Sequence, residues 1–298
     1  MLLKRNSGSG ICLILAAMTL LLGACDIGDR TSAEPGQDAG TATPRAQPDG
    51  TASSGGAASD TQLRAVVSER LPYAEVGEEL VYGYFVFPSD MIEPLPAVIV
   101  IHEWWGLNDN VRSMADRLAA EGFIVLAVDL FAGKVASGPE AARQLMLNVV
   151  EKPDPASENI RQAYDFVKNT AGAPSVGVLG WGFGGVWALN TAMLLPDDLE
   201  AAVIYYGQVI GDEDKLRPVN AAILGFFGAT DRGIPVDSVQ QFEAALERLR
   251  KDYEVSVYPG VSHSFANPTH RNYNADVADL AWNKTLEFLR ANLIADTE

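Results

Sequence analysis

The sequence predicts an α/β domain: a mostly parallel central sheet with helices packed on both faces. Three observations lead there. Short apolar runs recur at 97–101, 123–128, 176–179, 201–206 and 221–227, and strands that read this way are buried on both faces. Between them apolar residues fall at i, i+3, i+4 and i+7, as Val111, Met114, Ala115 and Leu118 do, which is helical spacing. Strand alternating with helix requires crossover connections and therefore parallel neighbours. Finally, the run at 176–179 ends in Gly180, Gly182, Gly184 and Gly185 before a helical stretch at 186–195. So sharp a strand-to-helix turn aims the first N–H groups of a helix at whatever binds there.

The chain begins with Lys4 and Arg5, an apolar stretch at 11–22 and Gly23-Ala24-Cys25. A basic, then apolar, then small-residue order describes a secretory signal, here 1–24. Its ending resembles a bacterial lipobox, which implies that Cys25 is lipidated and becomes the new N-terminus. Residues 25–62 are rich in Gly, Ala, Ser, Thr and Pro without apolar period. They cannot bury enough surface to offset their chain entropy and are expected to be a disordered tether, with a reach of roughly 35 Å. The only cysteines are Cys12 and Cys25, so the domain at 63–298 holds no thiol for a disulfide, a metal site or a nucleophile. The chain carries 22 Lys+Arg against 39 Asp+Glu, a formal charge of −17. That balance argues against nucleic acid and against electrostatic adhesion to anionic lipid. Membrane contact is expected through the lipid alone, placing the domain in the exported space.

Within 63–298, residues 66–87 are β-branched and aromatic but broken by Pro72 and Gly77, and predict two or three edge strands. After the strand at 97–101, its helix and the strand at 123–128, Ile160, Ala163, Tyr164 and Val167 restore helical spacing ahead of the strand at 176–179. The helix at 186–195 and the strands at 201–206 and 221–227 follow. Val239, Phe242, Leu246 and Leu249 mark another helix, 253–258 a last strand and 275–293 a last helix.

In parallel sheets ligands bind beyond the carboxyl ends of the strands. The residues just past the predicted strands are His102, Glu103, Trp104 and Trp105; Asp129; the Gly182 turn; Asp231; and His263. An elbow, then an acid, then a histidine is the chain order of the α/β-hydrolase triad. Gly180-Trp181-Gly182-Phe183-Gly184 has both flanking glycines of the nucleophile elbow G-x-S-x-G, with Gly182 at the tip. Gly180, Gly182 and Gly185 also satisfy the dinucleotide fingerprint G-x-G-x-x-G. That reading needs the turn in the first βα unit and an acid at a strand end about 20 residues on. Several strands precede this turn, and 200–202 begin a strand. A third reading assigns the glycines only to close packing. His102-Glu103 starts a zinc motif that fails at Gly106, where H-E-x-x-H requires its second histidine, so no metal and no cofactor is expected. His270 reads as a surface residue.

From 96 to 293 the chain resembles the dienelactone hydrolase family. The matching pieces are Val100-Ile-His-Glu-Trp-Trp-Gly106, Ala127-Val-Asp-Leu-Phe131, the glycine turn at 180–185, Gly228-Ala-Thr-Asp231 and Tyr258-Pro-Gly-Val-Ser-His-Ser-Phe265. The resemblance implies an α/β-hydrolase fold and hydrolysis of small esters or lactones. It implies a cysteine nucleophile at the elbow, whose position is Gly182 here. It further implies that Asp231 orients His263, that Glu103 sits against the resting nucleophile, and that the backbone N–H groups of Trp104 and Phe183 form the oxyanion hole. A basic residue that helps bind substrate carboxylates in some members is expected just after Asp129-Leu-Phe-Ala132. Gly133 stands there, with Lys134 beside it.

Covalent ester hydrolysis needs an attacking atom, and Gly182 carries none. Glycine takes the strained elbow backbone without steric cost, so its presence is compatible with an intact fold. What is left is a water activated by His263. Ser262 and Ser264 flank His263, but neighbours in sequence point differently from it. The expectation is a non-covalent or impaired hydrolase. The alternative is a non-catalytic module that binds a small ester, lactone or carboxylate in the same pocket.

Overall fold

The computed structural model describes residues 63–294; the predicted signal at 1–24, Cys25 and the tether at 25–62 lie outside them. Strands β1 (Val66–Val76) and β2 (Glu79–Pro88) form an antiparallel hairpin that turns at Gly77, φ 67°. β2 also pairs antiparallel with β4 (Ile124–Val128), Tyr84 opposite Ala127. It is therefore an interior strand, and the expectation that both strands at 66–87 are edges is corrected to β1 alone. Gly83 permits this closure, because a Cβ there would stand 2.9 Å from both the Ala127 carbonyl and the Tyr73 ring.

β3 (Ala97–Ile101), β4, β5 (Val176–Trp181), β6 (Ala201–Tyr205), β7 (Ala222–Gly228) and β8 (Tyr253–Tyr258) run parallel. The sheet order is β1-β2-β4-β3-β5-β6-β7-β8. Every residue of β3 to β7 is buried, which requires cover on both faces, as their apolar runs predicted.

The predicted helices are α1 (Asp109–Ala120), α3 (Asp154–Asp165), α4 (Phe183–Leu194), α6 (Val236–Arg248) and α7 (Ala275–Leu293). α1 and α7 are capped by Asn108 and Asn274, whose side chains accept from the N–H of Val111 and Val277. α3 runs on into a single π turn, Phe166–Thr170. Two helices were not predicted, α2 (Pro139–Glu151) and the short α5 (Glu213–Leu216). Only Ala142 and Val149 of α2 are buried, so it presents no regular apolar stripe to the sheet.

The glycines around the central turn are sites of close approach. A Cβ on Gly184 would overlap the Ile101 carbonyl oxygen and stand 2.7 Å from that of His102. One on Gly185 would stand 2.8 Å from the Tyr205 carbonyl, and one on Gly180 would overlap Gly184. The first turn of α4 thus sits directly on the ends of β3 and β6. The packing reading of the glycines accounts for Gly180, Gly184 and Gly185 without a dinucleotide.

Beside that contact, one buried polar link ties the end of β3 to that of β4, and a second ties the end of β4 to β1 and α3. The Leu130 N–H donates to His102 Nε2 at 3.1 Å, which leaves Nδ1 as the donor to the Glu103 carbonyl at 2.6 Å. Asn159 of α3 accepts from the Tyr73 hydroxyl and donates to the Asp129 carbonyl at 2.9 Å, while the Asp129 N–H donates to the Tyr73 oxygen at 3.2 Å.

Gly184→Ala is expected to destabilise the domain by about 3 kcal/mol or more, since two backbone segments must separate to admit one methyl group. Gly182→Ala, whose Cβ meets nothing nearer than 3.5 Å, is expected to show only the backbone strain of a left-handed position, of order 1–3 kcal/mol. Chemical denaturation of the two variants beside the wild type measures both.

Candidate active site

Five strand ends build the site. β5 delivers Gly182 at φ 55°, ψ −112°, a region that L side chains rarely adopt. The Gly182 N–H donates to the Tyr205 carbonyl at 2.9 Å, and its own carbonyl accepts from Val186 at 3.1 Å. A Cβ at this position would lie 3.5 Å from His263 Nε2 and 4.0 Å from Tyr206 Cδ2. Any side chain at 182 would therefore point at His263.

β7 delivers Asp231. Its Oδ1 accepts from the N–H of Gly233 at 2.8 Å and of Ile234 at 3.2 Å, and its Oδ2 receives His263 Nδ1 at 2.8 Å. Burial pushes this carboxyl up, but the bond to His263, the His263 charge and the two backbone donors outweigh it and hold it below its ordinary value. A carboxylate at Nδ1 fixes the tautomer with its lone pair on Nε2, toward Gly182. The loop after β8 holds His263 through bonds from Thr230 to the Val261 carbonyl and from the Asn272 amide to the His263 carbonyl at 2.9 Å. The His263 side chain is 43% exposed and that of Asp231 2%, so the ring is reachable and its partner is not.

β3 delivers Glu103, which is buried and accepts from the Asn267 amide. Burial pushes its carboxyl up to about 7, with Asn267, His263 and the Tyr206 hydroxyl acting in the opposite direction. The two acids beside the histidine thus diverge: Asp231 is held ionised by its donors, while Glu103 is held toward its neutral form.

β6 delivers Tyr206, which the sequence reading counted as the last residue of a strand. It takes φ 37° and is fully buried, with its ring edge-on to His263 at 5.1 Å. Its hydroxyl meets no partner in hydrogen-bonding geometry among the described residues. Burial, then the Glu103 charge, raises its ionisation well above the usual range.

Trp104 and Phe183 line a cavity of about 710 Å³ beside Gly182 and His263. Neither backbone N–H donates to an acceptor among the described residues. Phe183 opens α4, so its N–H has no partner within the helix. Of the flanking serines, the Ser262 hydroxyl donates to the Thr230 carbonyl, and Ser264 is buried at φ 63°. His270, expected at the surface, is half-buried instead and lines the cavity, its Nδ1 accepting from the Asn272 N–H at 3.1 Å. The loop between Phe265 and Asn274 folds back over the site, and this return path left no periodic signal. Among the described residues no Lys or Arg lines the cavity, and Gly133 and Lys134 are not in its wall.

The sequence model of the dienelactone hydrolase family matches residues 81–293. The chain is 32% identical over 205 residues to "Protein usf" of Aquifex pyrophilus, a match spanning 66% of this chain and 89% of that one. It is 28% identical over 235 residues to a protein of Saccharolobus solfataricus named "Putative carboxymethylenebutenolidase", spanning 66% and 90%. Among solved structures, one from Klebsiella pneumoniae titled as a "Putative Dienelactone Hydrolase" superposes with a TM-score of 0.68 at 25% identity, covering 76% of this chain and 98% of that one. A dienelactone hydrolase-like promiscuous phosphotriesterase from metagenomic libraries superposes with a TM-score of 0.70 at 21% identity, covering 76% and 99%. These overlays carry the α/β-hydrolase fold.

Glu103 binds its proton more tightly folded than unfolded, so its contribution is full below the unfolded value of 4.5 and is lost as pH rises through about 7. Glu103→Gln removes that dependence. The variant is expected to gain on the wild type between pH 5 and pH 8, by on the order of 3 kcal/mol at most. Thermal melts of both proteins across that range check the sign.

Proposed function

The chain belongs to the dienelactone hydrolase family, and on that premise we propose that it hydrolyses small esters or lactones without a covalent enzyme intermediate. By family it is a hydrolase; the non-covalent route is our reading of this particular corner. The observation that carries it is Gly182 at the elbow tip, with a Cβ position 3.5 Å from His263 Nε2 and Asp231 behind the ring. An imidazole so placed takes a proton from a water molecule at the corner as the water oxygen bonds to the substrate carbonyl carbon. The imidazolium is stabilised by Asp231. The Trp104 and Phe183 N–H groups take the negative charge that develops on the carbonyl oxygen. Collapse of the tetrahedral species breaks the bond to the leaving oxygen, which recovers the proton from His263. The products are a carboxylic acid and an alcohol, joined as a hydroxy acid when the substrate is a lactone. Glu103, with no nucleophile side chain to face, holds Asn267 and the Tyr206 side of the corner.

The rate is expected to be modest. Triads stripped of a member retain roughly 10³–10⁴-fold over water through binding and the oxyanion hole. The same glycine supports a second reading, a module that binds an ester, lactone or carboxylate and does not turn it over. For location we propose export and anchorage through lipidated Cys25, supported by the basic, apolar and Gly-Ala-Cys order of the N-terminus.

Purified residues 63–298 assayed with activated esters separate these readings. Slow wild-type hydrolysis that falls roughly 100-fold or more in His263→Ala is expected, together with a burst of acyl-enzyme in Gly182→Cys. An unchanged rate in His263→Ala would sink the water mechanism, and wild-type hydrolysis no faster than background would leave the binding module. No gain in Gly182→Cys would show that the elbow assignment is wrong. In cells, Cys25→Ser is expected to move the full-length protein from the membrane fraction to the soluble one.

A further inference from the structure

The cavity beside Gly182 has walls that the proposed chemistry does not require. They include Met146 and Val150 of α2 together with Trp104, Trp105 and Trp187. Its volume, about 710 Å³, is in the range that encloses a small organic molecule. Hardly any of the lining is charged: among the described residues Glu103 is the one acid, His263 and His270 are the titratable bases, and no Lys or Arg contributes. Arg232 and Arg271 line a separate groove of about 430 Å³ that shares only Gly233 and His263 with the cavity, and both are exposed.

Burying a carboxylate without a partner costs several kcal/mol, and here it would also approach Glu103. A neutral alkyl or aryl group meets the opposite balance, because each methylene moved from water into such a wall is favourable. Val149 of α2 joins the core and Met146 packs against it, but Val150, which completes this wall, remains 59% exposed. That exposure is explained if the helix is there to cover a ligand.

We propose that this site takes neutral substrates, esters or lactones whose group in the cavity is an uncharged alkyl or aryl chain, and that α2, through Met146 and Val150, is the element that rejects a carboxylate there. The inference rests on the reading of the Gly182–His263 corner as the place where the carbonyl sits.

Methyl ketones are neutral carbonyl analogues that cannot be hydrolysed, so binding can be measured without turnover. We would titrate residues 63–298 by calorimetry at pH 8 with 2-butanone, 2-hexanone and 2-octanone, and with 7-oxooctanoate, which carries a carboxylate at the far end of the eight-carbon chain. Expected are a tightening of about three- to fourfold per added methylene and at least tenfold weaker binding of 7-oxooctanoate than of 2-octanone. Val150→Lys, a change at an exposed position, should narrow that gap at least threefold. Equal or tighter binding of 7-oxooctanoate by the wild type would overturn the proposal, as would a gap untouched by Val150→Lys. Selective ketone binding with no ester hydrolysis by any variant would sink the hydrolase reading and leave this one standing. Hydrolysis combined with a preference for the carboxylate ketone would do the reverse.

Discussion

The whole site depends on one steric condition: the first turn of α4 must touch the backbone at the ends of β3 and β6. Gly184 against the Ile101 and His102 carbonyls and Gly185 against the Tyr205 carbonyl leave no room for a Cβ. Helix and sheet ordinarily stand about 10 Å apart because side chains fill the gap. With none at these two positions, the elbow drops between the neighbouring strands. Gly182 then faces the loop after β8, and Trp104 and Phe183 come to line one cavity. A shift of about 1 Å in that seating would spoil the alignment of donors and base. Tight packing at the turn is thus a requirement of the proposed chemistry as much as of the fold.

Around that corner, electrostatics sorts otherwise similar groups. Asp231 and Glu103 are both buried carboxyls near one imidazole. Asp231 receives three hydrogen bonds and is held down; Glu103 receives one and is pushed up to about 7. The number of donors decides the difference, since burial alone raises both. His102 is equally buried but is bonded at both ring nitrogens to backbone groups. Burial lowers its affinity for a proton. It serves as a neutral strut between two loops and is kept out of the cavity wall.

Much of this was legible in the chain. Buried parallel strands leave uninterrupted apolar runs, and the acid, base and glycine stand immediately after such runs, which is why Glu103, Gly182, Asp231 and His263 could be picked out in advance. The helix at 275–293 was legible to its ends, where Asn274 supplies the cap. Other parts left weaker traces. β2 reads as an edge strand because Pro72 and Gly77 break the run, while Gly83, the residue that lets it pair on both sides, gives no signal of its own. Helix α2 divides its apolar residues between the core, which includes Val149, and the cavity wall, which includes Val150, so its period is blurred. Tyr206 was absorbed into the run before it: the chain turns to a positive φ at that residue, and a tyrosine gives no warning of it. His270 depends on a loop that returns over the site, which no local pattern encodes.

The outermost strand has a bearing on the molecule's life among its own copies. Among the described residues β1 has no strand partner on its outer side, where the Gln162 amide takes the N–H and carbonyl of Glu75, and such a side can template the addition of a strand from a second molecule. Pro72 supplies no N–H there, and the pairing with β2 slips between Pro72 and Ala74. The open margin is therefore divided into two short stretches instead of one long ladder. Crowded molecules would find no continuous seam along which to zip together, and this imperfect strand guards against fibrillar assembly.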